Sequence, residues 1–278
     1  MKNRLIALID FSAYSHALAE LATRWSEVSN ARLVFVHQVA GIFPALADEA
    51  TRQEIIRHEK DQALEELKTL AAEKGLKEDD VQYVVTEYYL LNTVRDLLKE
   101  GYNDVVLVGV RGAGMLRHLL MGNTATTIVN EMACTVVAVP DTLCAASDAL
   151  CNLLPRRLVV ALSHRFPLNE KAFDDFLDQY RPVITQLEFI SSVDDPEEEE
   201  MTQYVKSLAE KYHQQHPSTY RVFKGKEHFK QVKDYVRRDK DTILMVQRGS
   251  RTLTDRLFRR FLVNDIVHEG SLPLVVLP

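Results

Sequence analysis

The chain has few of the residues that mark secreted, disulfide-stabilised or membrane-spanning proteins. Its 278 residues include three cysteines, nine prolines, ten glycines and one tryptophan. The cysteine number is odd and no CxxC or zinc-ligand spacing occurs, which is typical of a reducing compartment. No apolar run approaches the roughly 18–20 residues needed to cross a bilayer. The apolar stretch at the start ends at Asp10 and predicts a β-strand, not a signal peptide. We therefore expect a cytoplasmic protein without a membrane segment.

Motifs of several enzyme classes are also missing. The sequence has no Walker A pattern, no GxSxG elbow, and no GxGxxG after the first predicted strand. Its nine histidines are scattered, and His213 and His216, which are close together, lack a carboxylate partner at metal-site spacing. The formal net charge of −6 disfavours nucleic acid as the main partner, because binding to a phosphate backbone requires a basic face. The sequence thus predicts neither a P-loop NTPase nor a nucleic-acid-binding protein.

The chain does contain a regular alternation of apolar strands and amphipathic helices. This alternation is typical of an α/β protein with a parallel sheet, right-handed crossovers and helices on both faces. Ser12 is a candidate N-cap for the first helix, and Gly75 is placed to end the second. Strands are predicted at 5–9, 33–36, 81–85, 104–108, 135–139, 158–162, 185–190, 220–223, 242–246 and 274–277. Helices are predicted at 14–28, 48–74, 93–99, 124–132, 169–179, 197–213 and 229–237.

The order of strands and helices is repeated once along the chain. Residues 141–156 interrupt the alternation and are predicted to be a linker. The fourth strand of the first series begins the segment DVVLVGVRG. Its counterpart in the second series begins DTILMVQRG. A repeat with a period near 140–150 residues indicates the duplication of a whole domain. We therefore predict one domain at 1–140 and a second at 157–278.

Three glycines of the first half have a spacing suited to binding phosphate. Gly109 and Gly112 follow a predicted buried strand, and Gly122 opens a helix. Glycine can adopt positive φ and lets a ligand approach the main chain, and a helix N-terminus attracts anions. The functional interpretation is a cradle for the phosphates of a nucleotide. The alternative is a tight turn followed by an ordinary helix start.

The first half resembles the universal stress protein family. Its segment VLVGVRGAGMLRHLLMGNTATTIVNEMACTVVAVP is similar to the family signature G-x2-G-x9-G-[S/T], followed by a helix and a last strand. LIALIDFSAYSHALAELA and LVFVHQV resemble the family's first strand, aspartate and second strand. The resemblance covers residues 1–140 well and 157–278 more faintly. It implies two tandem Rossmann-like domains (adenine nucleotide alpha hydrolase-like), each with a five-stranded parallel sheet of order 3-2-1-4-5.

The resemblance also implies a nucleotide site at the switch point of the first sheet, where strands 1 and 4 are neighbours. Asp10 would accept a hydrogen bond from the ribose or the adenine, unless it is simply a carboxylate at a helix N-terminus. Gln38 would line the base. The ligand would be ATP or AMP, with or without Mg²⁺. The residues carried over to this site are Asp10, Ser12, Gln38, Val108, Gly109, Arg111, Gly112, Gly122, Asn123 and Thr124.

Two departures from the family pattern weaken the site in the first half, and the second half departs further. Asn123 replaces the Ser or Thr after the last glycine, and Ala125 replaces another common hydroxyl residue. In the second half Ser163 replaces the aspartate and Gln247 the first glycine. The loop that follows carries arginines, which would hold an anion or an acidic partner, or would simply be solvated. These arginines are Arg248, Arg251, Arg256, Arg259 and Arg260.

The sequence therefore predicts a stress-response protein that binds an adenine nucleotide in its first half and is non-catalytic or at most weakly ATP-hydrolysing. The family resemblance implies that the last strands, 135–139 and 274–277, pair the two halves as an internal pseudo-dimer. A further homodimer and an unidentified protein partner are compatible with this arrangement. One alternative is an interaction scaffold in which neither half binds nucleotide. Another is a true ATPase, for which no base near the phosphates can be named.

Overall fold

The computed structural model describes residues 2–110, 123–141, 154–162, 167–192, 198–224, 228–237, 242–248 and 272–278. Every predicted strand and helix is present, with ends within three residues of those predicted. The first half contains β1 (Asn3–Leu8), α1 (Ser15–Ser29), β2 (Arg32–Gln38), α2 (Glu49–Glu73), β3 (Val81–Thr86), α3 (Leu90–Leu98), β4 (Asn103–Val110), α4 (Asn123–Glu131) and β5 (Thr135–Pro140). The second contains β6 (Arg157–Leu162), α5 (Glu170–Tyr180), β7 (Gln186–Ser192), α6 (Glu198–Tyr212), β8 (Ser218–Phe223), α7 (His228–Val236), β9 (Thr242–Gln247) and β10 (Leu274–Leu277).

The strands form one continuous sheet of ten strands, whereas the sequence predicts a five-stranded sheet for each half. Its order is β3-β2-β1-β4-β5-β10-β9-β6-β7-β8. The pairs within each half are parallel. β5 and β10 pair antiparallel in the middle, with Val137 opposite Val275. We call this central pair the seam. Each seam strand is completely buried, so pairing satisfies backbone groups that water cannot reach.

The antiparallel seam reverses the direction of the second half relative to the first. The carboxyl ends of β1 and β4 therefore lie at one edge of the sheet, and those of β6 and β9 lie at the opposite edge. Ligand crevices in α/β sheets form at carboxyl ends of strands. The two candidate crevices consequently open at opposite edges.

An aromatic cluster joins the two halves on one face of the sheet. The Trp25 ring of α1 lies 4.9 Å from the Tyr180 ring and 6.5 Å from the Phe176 ring, both on α5. All three side chains are buried. Asn103 adds a polar contact, because its Nδ2 donates to the Asp175 carbonyl at 3.3 Å. The core therefore runs across the boundary between the halves.

Each half anchors its first strand with an arginine, fully buried at Arg4 and partly buried at Arg157. Arg4 is fully buried, and its Nε donates to Asp104 Oδ1 at 2.6 Å while Nη1 donates to Glu100 at 2.6 Å. Arg157, at the matching position of β6, donates from Nη2 to Glu188 Oε2 at 2.9 Å. Buried ion pairs of this kind fix strand register, because an arginine placed elsewhere would leave a buried carboxylate without its partner.

The long helix α2 ends where the sequence predicts. The side chain of Asp48 caps its first turn by accepting from the Thr51 N–H at 2.8 Å. Gly75 follows the helix with φ of +76°, a conformation that favours glycine. No helix in the described ranges is both long enough and apolar enough to cross a membrane.

Candidate functional site

A cavity of about 500 Å³ opens at the carboxyl ends of β1 and β4. This volume is within the range of small-molecule sites in proteins. We call this cavity the first crevice. Its apolar walls come from strand ends and from the helices on either side, and its polar side chains come from four separate segments. The lining residues are Leu8, Ile9, Asp10, Tyr14, Leu18, His37, Gln38, Leu90, Val108, Gly109, Thr124, Ala125 and Ile128.

Half of the predicted site residues lie together in this crevice. They come from the ends of β1, β2 and β4 and from the first turn of α4, and they are Asp10, Gln38, Val108, Gly109 and Thr124. Ser12 does not line the first crevice. It lines a separate cavity of about 300 Å³ between α1 and α2. Asn123 begins α4, and its side chain is outside the described part of the structure, as are Arg111, Gly112 and Gly122.

Asp10 organises the turn that leads into α1. Its Oδ1 accepts from the Ser12 N–H at 2.9 Å and from the Ser15 hydroxyl at 3.0 Å. Phe11, between them, has φ of +55°, which is unusual for a bulky residue and occurs at ligand sites where surrounding contacts enforce it. Asp10 is therefore both a carboxylate at a helix N-terminus and an exposed lining residue of the crevice.

The expectation that Ser12 caps α1 is wrong. Tyr14 occupies the N-cap position, and no side chain caps the helix there. Ser12 contributes its backbone carbonyl, which accepts from the Ser15 N–H at 2.9 Å. Its hydroxyl is buried and has no hydrogen-bond partner among the described residues. The side chain of Asp10, two residues earlier, holds the turn before the helix through the Ser12 N–H and the Ser15 hydroxyl, but it does not cap the helix.

Gly109 has a different role from the predicted turn. It lies inside β4, pairs with Val139, and does not have positive φ. A Cβ at this position would lie 3.0 Å from Cε2 of Tyr14, closer than side chains normally approach. Glycine therefore allows the Tyr14 ring to pack against the end of the strand. The close approach of a ligand to the main chain stays a prediction, because the group that approaches Gly109 in the structure is the side chain of Tyr14.

His37 is a lining residue that the sequence analysis did not select. Its Nδ1 lies 2.8 Å from the Ile9 carbonyl, which can only accept, so Nδ1 carries the hydrogen of this bond. The imidazole also packs on the Phe11 ring, with centroids 4.3 Å apart. The signal that could have revealed His37 is its place at the carboxyl end of β2, beside Gln38.

The crevice combines an apolar interior with a polar rim. Leu18, Leu90 and Ile128 supply apolar walls that suit a flat ring. The N–H groups of the first turn of α4, at Thr124, carry the positive end of the helix dipole. This arrangement can hold a molecule with an apolar ring at one end and an anionic group at the other. The described residues contain no cluster of three or more His, Cys, Asp or Glu side chains that could hold a metal ion.

The corresponding position in the second half is filled. Gln247 ends β9 as Gly109 nearly ends β4, and it pairs with Leu277 of the seam as Gly109 pairs with Val139. Its Oε1 accepts from the Asn169 N–H at 2.8 Å, and its Nε2 donates to the Pro278 carbonyl at 2.6 Å. The carboxamide thus bridges the strand end to the start of α5. Ser163 and the loop arginines after Arg248 lie outside the described residues.

Comparisons with known proteins agree with the first-half pattern. A family model described as "Universal stress protein family" matches residues 1–140, just over half of the chain. A search of curated proteins finds no match. A solved universal stress protein from Archaeoglobus fulgidus DSM 4304 is 14% identical with a TM-score of 0.69, covering 100% of this chain and 98% of its own.

A protein of unknown function from Pseudomonas aeruginosa PAO1 is 13% identical with a TM-score of 0.56. The match covers 99% of this chain and 92% of that one. At such identities the two solved structures support the fold alone, over both halves. The match of the family model to residues 1–140 is the finding that decides membership: this chain belongs to the universal stress protein family.

Proposed function

We propose that the first crevice binds an adenine nucleotide, ATP or AMP. The observation that carries this proposal is the meeting of Asp10, Gln38, Gly109 and Thr124, from four segments of the chain, around one cavity of about 500 Å³. Residues 111–122, which complete the family signature, directly follow β4 in the sequence.

The residues present fit the parts of such a ligand. The apolar walls and Gln38 suit the adenine ring, and the exposed carboxylate of Asp10 suits the ribose hydroxyls. The N-terminal turn of α4 suits a phosphate group. Mg²⁺, where it takes part, would arrive with the phosphates, since phosphate oxygens are its usual ligands.

We propose binding without catalysis, or with weak ATP hydrolysis at most. The ionisable side chains among the described lining residues are Asp10, Tyr14 and His37. Asp10 Oδ1 holds the turn into α1, and His37 Nδ1 is bonded to the Ile9 carbonyl. These bonds give structural roles to Asp10 Oδ1 and His37 Nδ1, whereas the Nε2 lone pair of His37 is the position among the described lining residues that could act as a base in weak hydrolysis.

We further propose that the chain consists of tandem domains, 1–140 and 157–278, joined by a linker at 141–156. They would form an intramolecular pseudo-dimer through the seam, with the nucleotide site of the second domain closed by Gln247. A stress-related role, a cytoplasmic location, a protein partner and a further homodimer remain predictions of the family resemblance.

Thermal unfolding of the full chain with saturating ATP, AMP or no nucleotide tests the binding proposal. A ligand at 100 times its Kd adds about 2.7 kcal/mol of stability, or several degrees in Tm for a chain of this size. Asp10→Asn keeps an oxygen acceptor for the turn but removes the charge, so it should reduce the shift. Asp96→Asn, at an exposed ion pair on α3, is the control. If nucleotides move the Tm no more than buffer does, the chain is better explained as a nucleotide-independent scaffold.

A further inference from the structure

The short helix α4 connects the first crevice with the second half of the chain. At its N-terminal end, Thr124 and Ala125 line the crevice. At its C-terminal end, the Met132 carbonyl accepts a hydrogen bond from Nη1 of Arg248, which belongs to the second half. One helix thus has its first turn at the proposed phosphate site and its last turn bonded to the other half.

The seam explains why Arg248 reaches this position. Arg248 directly follows β9, and its N–H donates to the Leu277 carbonyl of β10 at 3.0 Å. Since β10 runs antiparallel to β5, the carboxyl end of β9 lies at the same edge as the amino end of β5. Three residues separate the end of α4 at Glu131 from the start of β5 at Thr135. The guanidinium therefore faces the C-terminus of α4.

α4 depends on tertiary contacts to hold its position. Nine residues span about 13 Å, and an isolated helix of that length is marginal in water. Ile128 and Val129 bury one side of the helix. Arg95 pairs with Glu131 at 3.0 Å, but both side chains are substantially exposed, so this pair contributes little. A cation bonded to the last carbonyls satisfies an acceptor and complements the negative end of the dipole.

We propose that Arg248 is a positioning residue for phosphate binding in the first crevice. By holding the C-terminal turn of α4, it fixes the N–H groups of the first turn where a phosphate would bind. This inference rests on the proposed function and deepens it. It also assigns a task to the second half, because Arg248 would hold the helix whose first turn lies at the site of the first half.

Isothermal titration of the full chain with AMP, ATP and adenosine tests the proposal. Adenosine shares the base and ribose but lacks phosphate, so the ratio of the adenosine Kd to the AMP Kd measures the phosphate contribution. We expect Arg248→Gln to weaken AMP and ATP about fivefold while changing the adenosine Kd less than twofold. Arg221→Gln, an arginine change in the second half away from α4, should leave both constants unchanged.

Arg248→Lys keeps the charge and one donor, and should give an intermediate ratio. If Arg248→Gln fails to fold, the ratio of the adenosine Kd to the AMP Kd in Arg248→Lys is compared with that of the unmodified chain. A ratio equal to that of the unmodified chain in the variant that folds would overturn the inference while leaving nucleotide binding intact. An equal loss for adenosine and AMP would also overturn it, since the effect would then be a general loosening of the crevice. If the unmodified chain binds no nucleotide, the proposed function fails first.

Discussion

The two halves differ in what lies between the end of one strand, β4 or β9, and the start of the neighbouring helix, α1 or α5. In the first half the strand contributes only the bare Cα of Gly109, and Tyr14 of the helix side packs against it. In the second half the strand contributes the long side chain of Gln247, which bonds to the helix start at Asn169. The comparison shows that one residue at a strand end can change the contact with the neighbouring helix start while the strand pairing is kept.

The two halves can first be compared at the amino ends of β1 and β6, where each half has an arginine. Arg4→Met should lower the free energy of unfolding by about 3–5 kcal/mol, because it leaves Asp104 buried without its partner. Arg157→Met should cost less, since Glu188 keeps a hydrogen bond from the Tyr235 hydroxyl at 2.5 Å. Urea unfolding followed by the fluorescence of Trp25, the only tryptophan, measures both.

Lys99→Met is the control for this pair of variants. Lys99 pairs with Asp96 on the surface, and such exposed pairs contribute little to stability. We expect a change within about 0.5 kcal/mol. Equal losses for Arg4→Met and Arg157→Met would contradict the view that the two anchors differ in how completely their carboxylates are satisfied.

The second prediction exchanges the residues that distinguish the crevices. Gly109→Gln introduces the side chain that closes the second crevice and displaces Tyr14, so we expect a loss of nucleotide affinity of at least about 100-fold, or about 2.7 kcal/mol. Gln247→Gly removes the bonds to Asn169 and Pro278, and should lower stability by about 1–3 kcal/mol without changing the affinity of the first crevice.

Titration calorimetry on both variants, with circular dichroism to verify folding, checks this exchange. A folded Gly109→Gln chain that binds AMP as well as the unmodified chain would show that the space beside Gly109 does not belong to the ligand. A changed AMP affinity in Gln247→Gly would show that the two crevices are energetically coupled through the side chain of Gln247.

The third and smallest effect concerns acid stability of the second half. His216 is buried, and burial is the main cause that lowers its pKa below the usual 6.5. Its Nε2 has no hydrogen-bond partner in the described part of the chain, and Arg181 nearby also disfavours a charge there, while Asp178 opposes the shift. The neutral form is favoured by folding, so its stabilisation is complete above pH 6.5 and is lost as the pH falls through the folded-state pKa.

We expect the free energy of unfolding to fall below pH 6.5 by at most about 1.4 kcal/mol per pH unit from this group. Urea unfolding at pH 7.5 and pH 5.5 measures the change. His216→Phe should make the difference between the two pH values smaller, whereas His58→Gln, on the exposed face of α2, should not. If the free energy of unfolding changes between pH 7.5 and pH 5.5 as much in His216→Phe as in the unmodified chain, other groups cause the acid sensitivity.

The secondary structure was predictable because the pattern of apolar residues reflects burial directly. Strands buried on both faces, such as Leu5–Ile9, give continuous apolar runs, and helices on the sheet give periodic ones. Asp10, Gln38 and Gly109 could be brought together from the sequence because a parallel sheet places the ends of neighbouring strands at one edge.

Details that depend on tertiary contacts were not predictable in this way. Ser12 is a residue type that commonly caps helices, but no side chain caps α1, and Asp10 with the left-handed Phe11 instead holds the turn before it. The sequence predicts a turn at Gly109. In the structure the reason for a glycine there is the Tyr14 ring, which leaves no room for a side chain. The seam pairs the last strand of the first half with the last strand of the second. No local sequence pattern encodes such a long-range contact.

The seam also has a consequence for solubility. A fully buried strand such as β5 would become a long, flat, apolar edge if the partner strand were removed, and such edges template aggregation. The second half therefore covers an apolar strand of the first that would otherwise favour aggregation.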